Sequence, residues 1–267
     1  MAWPRDSNGW TVFTPKTDGT SATNTWVYYV DPVSGDDDTG AGYQATEALV
    51  GSDPRQPAST PVTTYETIQE ALNDASTRNN SNASNWILVK AGTTSTISGS
   101  SRVWKLTGVD QQLPALFSSY GEGARPILRY GMSLQGGGGI TEEYHDIAFV
   151  GLHFYDTLKD PDHADWDGYP THTNLSVQMI TSGIWSESGD PVQRNWLIED
   201  CRLQFMQLNV QWQSGSFSTG HEVRRCGLGP NYSTSNGAGG NNGHTQNVFA
   251  SATEGMLFED VVAYYGG

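Results

Sequence analysis

IEDCRL (198–203), VRRCGL (223–228) and FEDVVA (258–263) read as one short strand written three times. Related segments stand upstream, namely PILRYG (126–131), FVGLHF (149–154) and NLSVQM (174–179). Their fourth positions, with the first segment read from Arg125, are Leu128, Leu152, Val177, Cys201, Cys226 and Val261, at intervals of 24, 25, 24, 25 and 35 residues. Their sixth positions are Tyr130, Phe154, Met179, Leu203, Leu228 and Ala263. A short strand recurring at this period marks a solenoid. One coil needs about that much chain for three strands and three bends, and coils stack at about 4.8 Å. The fourth and sixth positions then point inward as apolar ladders, while the second and third sit at a bend and face water. The long interval follows from an Asn/Gly-rich insertion, PNYSTSNGAGGNNG (230–243).

The spacing predicts an all-β fold, a single-stranded right-handed parallel β-helix with an N-terminal capping helix. A leucine-rich repeat has a similar period, but its LxxLxLxxN pattern is absent. A β-sandwich also has many short strands, yet it does not require inward residues to recur so evenly. The helix is expected in TTYETIQEALNDA (63–75), where Tyr65, Ile68, Leu72 and Ala75 share one face. Thr64 is placed to cap its start, with Thr67 at the capping-box distance. Residues 1–84 read as an N-terminal extension and cap, and 85–267 as the coils. FEDVVAYYGG ends without a visible cap, which implies further coils of a longer parent chain or a homo-oligomer.

Composition narrows the partners. The formal net charge is −15, with charged residues at 16% and aromatic residues at 11%. Duplex binding draws on cations facing phosphates, so a nucleic acid is not expected. No apolar run reaches the length of a membrane span, so no membrane insertion is expected. MAWPRDSNGW has neither the basic start nor the apolar stretch of a signal peptide. The expected location is extracellular or at the cell surface, by a route other than this N-terminus or after removal of a signal, or in a phage particle, which needs no signal. Cys201 and Cys226 fall on one inward ladder, where stacked side chains point the same way; free buried thiols are expected rather than a bridge.

WVYYVDPVSGDDDTG (26–40), Pro61, TYETIQEALNDA (64–75) and NWILVKAGT (85–93) together resemble the opening region of the pectate-lyase-like superfamily of β-helix proteins. LIEDCRL (197–203) and MLFEDVVA (256–263) resemble its repeated rungs. DSNGWTVFTPKTDGT (6–20) is similar to the start of some bacterial β-helix proteins of unassigned function. The resemblance spans most of the chain in pattern. It implies the fold, and it implies a polysaccharide as partner. It does not choose among polysaccharide lyase, glycoside hydrolase, epimerase, tailspike and adhesin, because a fold does not dictate a reaction.

The repeat alignment places candidate residues beside one another. Arg129, His153, Gln178 and Arg202 share the fifth position on successive coils, an outward row suited to gripping a uronate polymer. Arg129 or His153 can take a proton beside a carboxylate once its pKa is lowered. A solvated sheet face explains the same row without chemistry. His244, after the Asn/Gly insertion, is a third candidate at the mouth of a groove. The loop KDPDHADWDGYPTHT (159–173) gathers Asp160, Asp162, Asp165 and Asp167, hard oxygen donors of the kind Ca²⁺ prefers. Trp166 and Tyr169 in the same loop can stack on a sugar ring. An acidic surface loop is the plain alternative, and His163 and His172 have no zinc-ligand spacing. SGDDDTG (34–40) is a second possible Ca²⁺ loop that turn formation also explains. Glu199–Asp200, Arg224–Arg225 and Glu259–Asp260 alternate in sign from coil to coil, as electrostatic matching at a bend would require.

The function expected from these residues is a carbohydrate-active β-helix protein, a polysaccharide lyase or glycoside hydrolase. A non-catalytic glycan-binding, adhesin or tailspike-like module is the alternative, as is an inactive structural fragment.

Overall fold

VYYV (27–30), WILV (86–89), IAFV (147–150) and WLI (196–198) are apolar at every position. Strands built from such runs must be covered on both faces. The computed structural model describes residues 3–20, 23–61, 63–77, 84–95, 106–129, 132–133, 144–155, 157, 160–166, 180–183, 193–205, 208–230 and 246–264.

β1 (Trp26–Val30) and β2 (Gly42–Gln44) come first, then α1 (Ile68–Thr77) and β3 (Asn85–Lys90). β4 (Thr94–Ser95), β5 (Ala115–Tyr120), β6 (Ile127–Leu128) and β7 (Met132–Ser133) follow. Next are β8 (Tyr144–Val150), β9 (His153–Tyr155), β10 (Ile180–Gly183), β11 (Gln193–Glu199) and β12 (Arg202–Gln204). The last are β13 (Leu208–Thr219), β14 (Glu222–Arg224), β15 (Gly227–Leu228), β16 (Gln246–Glu254), β17 (Leu257–Glu259) and β18 (Val262–Ala263). The domain is therefore all-β with one N-terminal helix.

Among the described residues the strands form two sheets, of twelve and six strands. β1 and β2 pair antiparallel, and the other strand pairs are parallel. Strands join in sequence order: β1, β3, β5, β8, β11, β14 and β17 along one sheet, and β4, β6, β9, β12, β15 and β18 along the other. β7, β10, β13 and β16 form a third run, which joins the larger sheet where Thr219 of β13 stands opposite Arg194 of β11. β1 pairs with β3 from Trp26–Asn85 to Val30–Val89, so the first sheet begins before residue 85.

Two ladders make the interior. Tyr28, Ile87, Phe117, Phe149, Ile198 and Val223 stand opposite one another in turn, and all are buried. Leu128, Phe154, Leu203 and Leu228 do the same in the smaller sheet. Ile68, Ala71, Leu72 and Ala75 of α1 close over this core. Cys201 and Cys226 are free and buried within it; burial pushes the Cys201 thiol well above its ordinary range. The outward face of the larger sheet is apolar too. Val27, Trp86, Leu116, Ala148 and Leu197 form a ladder there, covered by Trp3, Phe13, Tyr43 and Val50. At the far edge, Phe258 and Val262 are 46% and 65% exposed. Among the described residues no helix is long and apolar enough to cross a membrane.

The structure departs from the expected register in two places. Leu128 stands opposite Phe154, and Ile127 opposite His153, so Arg129 lies two residues beyond its expected partner. The reason is the bend: the strand already begins at Ile127, after the Pro126 carbonyl accepts from the His153 amide, and Leu128 takes the inward site that Tyr130 was expected to fill. β8 pairs directly with β11, and β9 with β12. The segment 174–179, expected between them, lies outside the described residues. The helix also begins later than expected. Tyr65 bridges to Val30, which holds it extended. Thr67 is the N-cap instead, accepting from the Glu70 amide at 3.2 Å, while its own N and Oγ1 bond to Asp37 at 2.8 and 2.7 Å. Asp37 of the SGDDDTG loop thus serves the cap.

Two bends repeat with left-handed residues. Gly151, Asp200, Arg225 and Asp260 have φ of 68°, 56°, 54° and 54°. Gly151, Asp200 and Arg225 continue the ladder through amide bonds of 2.9–3.1 Å to the next coil. Asp146, Asn195, Gly220 and Gly255 form the second set. Gly, Asn and Asp tolerate this conformation best, which explains most of these positions. Arg225 is the exception; Glu199, the Gly9 carbonyl and the Trp10 ring hold it.

Candidate functional site

HFY (153–155) and RLQ (202–204) alternate outward, inward, outward. Phe154 and Leu203 are buried in the core, so His153, Tyr155, Arg202 and Gln204 are turned to the outer face. β9 and β12 pair with His153 opposite Arg202 and Tyr155 opposite Gln204. Neighbouring strands lie about 4.8 Å apart, so these four side chains form one patch.

Hydrogen bonds order the patch. His153 Nε2 lies 3.0 Å from Gln204 Oε1, and Gln204 Nε2 donates to the Tyr264 hydroxyl at 3.1 Å. The His153 ring stacks on Tyr155, with centroids 5.3 Å apart and planes 13° from parallel. Tyr155 meets His163 edge-on and packs beside Phe205. Its hydroxyl donates to Asp160. Asp165 pairs with Arg129 at 3.0 Å and accepts from Thr157 at 3.2 Å. The Asp165 amide donates to His163 Nδ1 at 3.0 Å. Arg125 donates to the Asp200 carbonyl at 2.8 Å and pairs with its carboxylate.

The electrostatics follow from this arrangement. Burial pushes the His153 pKa down to about 4; the Gln204 bond opposes that, and the Arg202 and Arg125 charges add to it. The ring is neutral at pH 7. Burial, followed by the Asp160 bond and charge, holds the Tyr155 hydroxyl above its ordinary range, so it stays protonated. The Arg202 side chain is exposed and has no hydrogen-bond or ion-pair partner among the described residues. A neutral imidazole, a protonated phenol and an unpaired guanidinium therefore share one outer surface. Such a patch can attract an anionic group and accept a proton beside it.

No family model matches this sequence, and no curated protein does. A solved structure, the native GH136 lacto-N-biosidase from Eubacterium ramulus, is similar over 85% of this chain at 12% identity, with a TM-score of 0.32. The chain spans 40% of that protein. A likeness of that degree carries no argument about activity, and the site is read from its own residues.

The structure brings Arg129, His153, Arg202, Asp160 and Asp165 to one face. Arg202 is the direct neighbour of His153, whereas Arg129 reaches the face through Asp165. Trp166 is half-buried in the adjoining loop, with its amide bonded to the His163 carbonyl at 3.0 Å. Tyr169, Gln178, His244 and Asp167 lie outside the described residues. Among the described residues no group of three or more His, Cys, Asp or Glu side chains is arranged to hold a metal. Asp160 and Asp165 are occupied by Tyr155 and Arg129, and a guanidinium at 3.0 Å does not suit a cation's donor set. Tyr155, Gln204 and Tyr264 belong to the site but were not candidates in the sequence. Period-two alternation from His153 and Arg202 signals the first two; Tyr264 required the fold. A cleft of about 530 Å³ lined by residues such as Pro4, Val12, Lys16, Asp18 and Gln112 shares no residue with this face.

Proposed function

We propose that the chain is a right-handed parallel β-helix of the pectate-lyase-like kind, whose outer face at β9 and β12 binds an acidic polysaccharide and cleaves it by β-elimination. One observation carries the reading: a neutral His153 sits beside the unpaired Arg202. Elimination needs a cation at the sugar carboxylate and a base for the proton on the adjacent carbon. Arg202 supplies the first and His153 the second. The electron pair left on carbon forms the double bond as the glycosidic C–O bond breaks. The imidazolium then returns its proton to the departing oxygen. A bound carboxylate offsets the Arg202 charge, which lifts the His153 pKa toward working pH and strengthens the base. Tyr155, fixed by Asp160, keeps the imidazole in place and offers a ring face to sugar. Hydrolysis fits less well, since it needs two working carboxyl groups. Asp160, Asp165 and Asp200 are each held by a donor.

The test is incubation of the protein with acidic and neutral polysaccharides, with added Ca²⁺ or with chelator. Ultraviolet absorbance reports unsaturated ends, and a reducing-sugar assay reports cleavage of either kind. Both signals rising on an acidic polymer support elimination. Reducing ends without absorbance would overturn it in favour of hydrolysis. Retained polymer with neither signal would make the face a binding module. Activity lost to chelator and restored by Ca²⁺ would bring in a calcium site that draws on the loop at 160–167.

A further inference from the structure

We infer that Gln204 and Tyr264 are positioning residues that hold His153 as its Nε2–H tautomer, leaving Nδ1 as the proton acceptor of the outer face. The inference rests on the reading of this face as the reacting site and adds the atom that reacts. A glutamine amide has one acceptor end and one donor end. Gln204 Nε2 donates to the Tyr264 hydroxyl at 3.1 Å, and Oε1 is the end turned to His153 Nε2 at 3.0 Å. An acceptor at that distance requires a proton on Nε2. A neutral imidazole then carries its lone pair on Nδ1. Nδ1 has no protein partner among the described residues.

The rest of the surroundings keeps the ring neutral and still. Tyr155 stacks on it from the same strand, with its own hydroxyl tied to Asp160. Arg202 on β12 and Arg125 before β6 are the charges that face it, and both oppose protonation. Ile127 stands opposite His153 on the other side and adds no charge. The relay also runs across the fold. Tyr264 follows β18, and its amide bonds to the Leu228 carbonyl of β15 at 3.0 Å, so the relay spans four successive strands, β9, β12, β15 and β18. A residue acting only as structural filler would not select between the two ring nitrogens.

The experiment is long-range ¹H–¹⁵N correlation of the labelled full chain, with His153 assigned through His153→Gln. At pH 7 the expected result is a pyrrole-type Nε2 and a pyridine-type Nδ1. Gln204→Glu places a carboxylate against Nε2 and is expected to raise the His153 midpoint by about one pH unit or more. Tyr264→Phe frees the amide and is expected to give a mixture of tautomers. An Nδ1–H tautomer, or equal populations, in the unaltered protein would overturn the inference without any variant being made. An unchanged His153 midpoint in folded Gln204→Glu would overturn it as well. If the tautomer is as inferred and no polymer is cleaved, the elimination reading fails while this one stands.

Discussion

Glu199 and Arg224 stand opposite each other on β11 and β14 at 1% and 0% exposure, with Arg224 Nε 3.5 Å from Glu199 Oε1. The N-terminal segment seals them in. The Thr11 amide bonds to Glu199 at 3.2 Å, and Arg224 donates to the Thr11 hydroxyl. Arg5 reaches Glu222 at 3.2 Å and Glu259 at 2.8 Å. Arg225 pairs with Glu199 at 2.9 Å and lies over the Trp10 ring at 4.3 Å. The acid–base–acid alternation expected at a bend is present in register; Asp200 and Asp260 reach the surface as expected, but the Glu199–Arg224 step does not face water. It is the underside of a strap.

Removing one partner of a buried pair leaves the other charge without compensation. Glu199→Ala is therefore expected to lower unfolding stability by roughly 3–5 kcal/mol. Arg5→Ala, at a partly exposed position, is expected to cost under about 1 kcal/mol. Urea titration of both variants checks the contrast; equal losses would show that the buried pair has no special weight.

His153 and His221 predict a loss of stability on mild acidification. Burial pushes His153 down to about 4 and His221 down to about 3, against 6.5 for a free histidine. A depressed folded pKa means that the unfolded chain binds the proton first. Stability is thus full above about pH 7 and falls as pH drops from 6.5 toward 4 and 3. At pH 5 the loss is roughly 1–2 kcal/mol for each ring. Urea midpoints at pH 7 and pH 5 measure it, and His153→Gln is expected to flatten part of the slope.

The cap of α1 offers a smaller, cleaner effect. Thr67→Ala removes the Glu70 acceptor and the Asp37 donor together and is expected to cost about 1–2 kcal/mol. Thr64→Ala is expected to be close to neutral. Thermal unfolding of the two variants separates these positions.

On the proposed elimination, Arg202→Ala is expected to lower kcat/KM by roughly 100-fold, with Arg202→Lys keeping part of it. Tyr155→Phe keeps the stack and loses the Asp160 bond, so a fall of only about tenfold is expected. Steady-state kinetics on an acidic polymer decide this. Full activity in Arg202→Ala would remove Arg202 from the reaction.

The inward columns were legible because burial demands apolar residues at a fixed phase. Ile198, Val223 and Phe258 announce that phase at 25 and 35 residues. Leu203, Leu228 and Ala263 repeat it. Phase failed where composition was permissive. NLSVQM (174–179), outside the described residues, matches the pattern in sequence, yet β9 pairs directly with β12. PILRYG fits in two registers, and only pairing with β9 chose between them. The second apolar ladder, from Val27 to Leu197, was written openly in VYYV and WILV, but its cover, Trp3 and Phe13, lay in a segment with no periodicity.

Of the candidate site, His153 and Arg202 were legible as outward neighbours of inward residues. Alternation along a strand follows from local backbone geometry, which any chain must obey. Their chemistry was not legible. The lowered His153 pKa, the bond to Gln204 and the lack of a partner for Arg202 depend on distances between residues some fifty positions apart in the chain. By itself the sequence determined which residues lie inside, because hydrophobic burial depends on composition and period. Only the tertiary structure decided which polar groups meet, because hydrogen bonds and charges act over a few ångströms and the register between coils sets those distances.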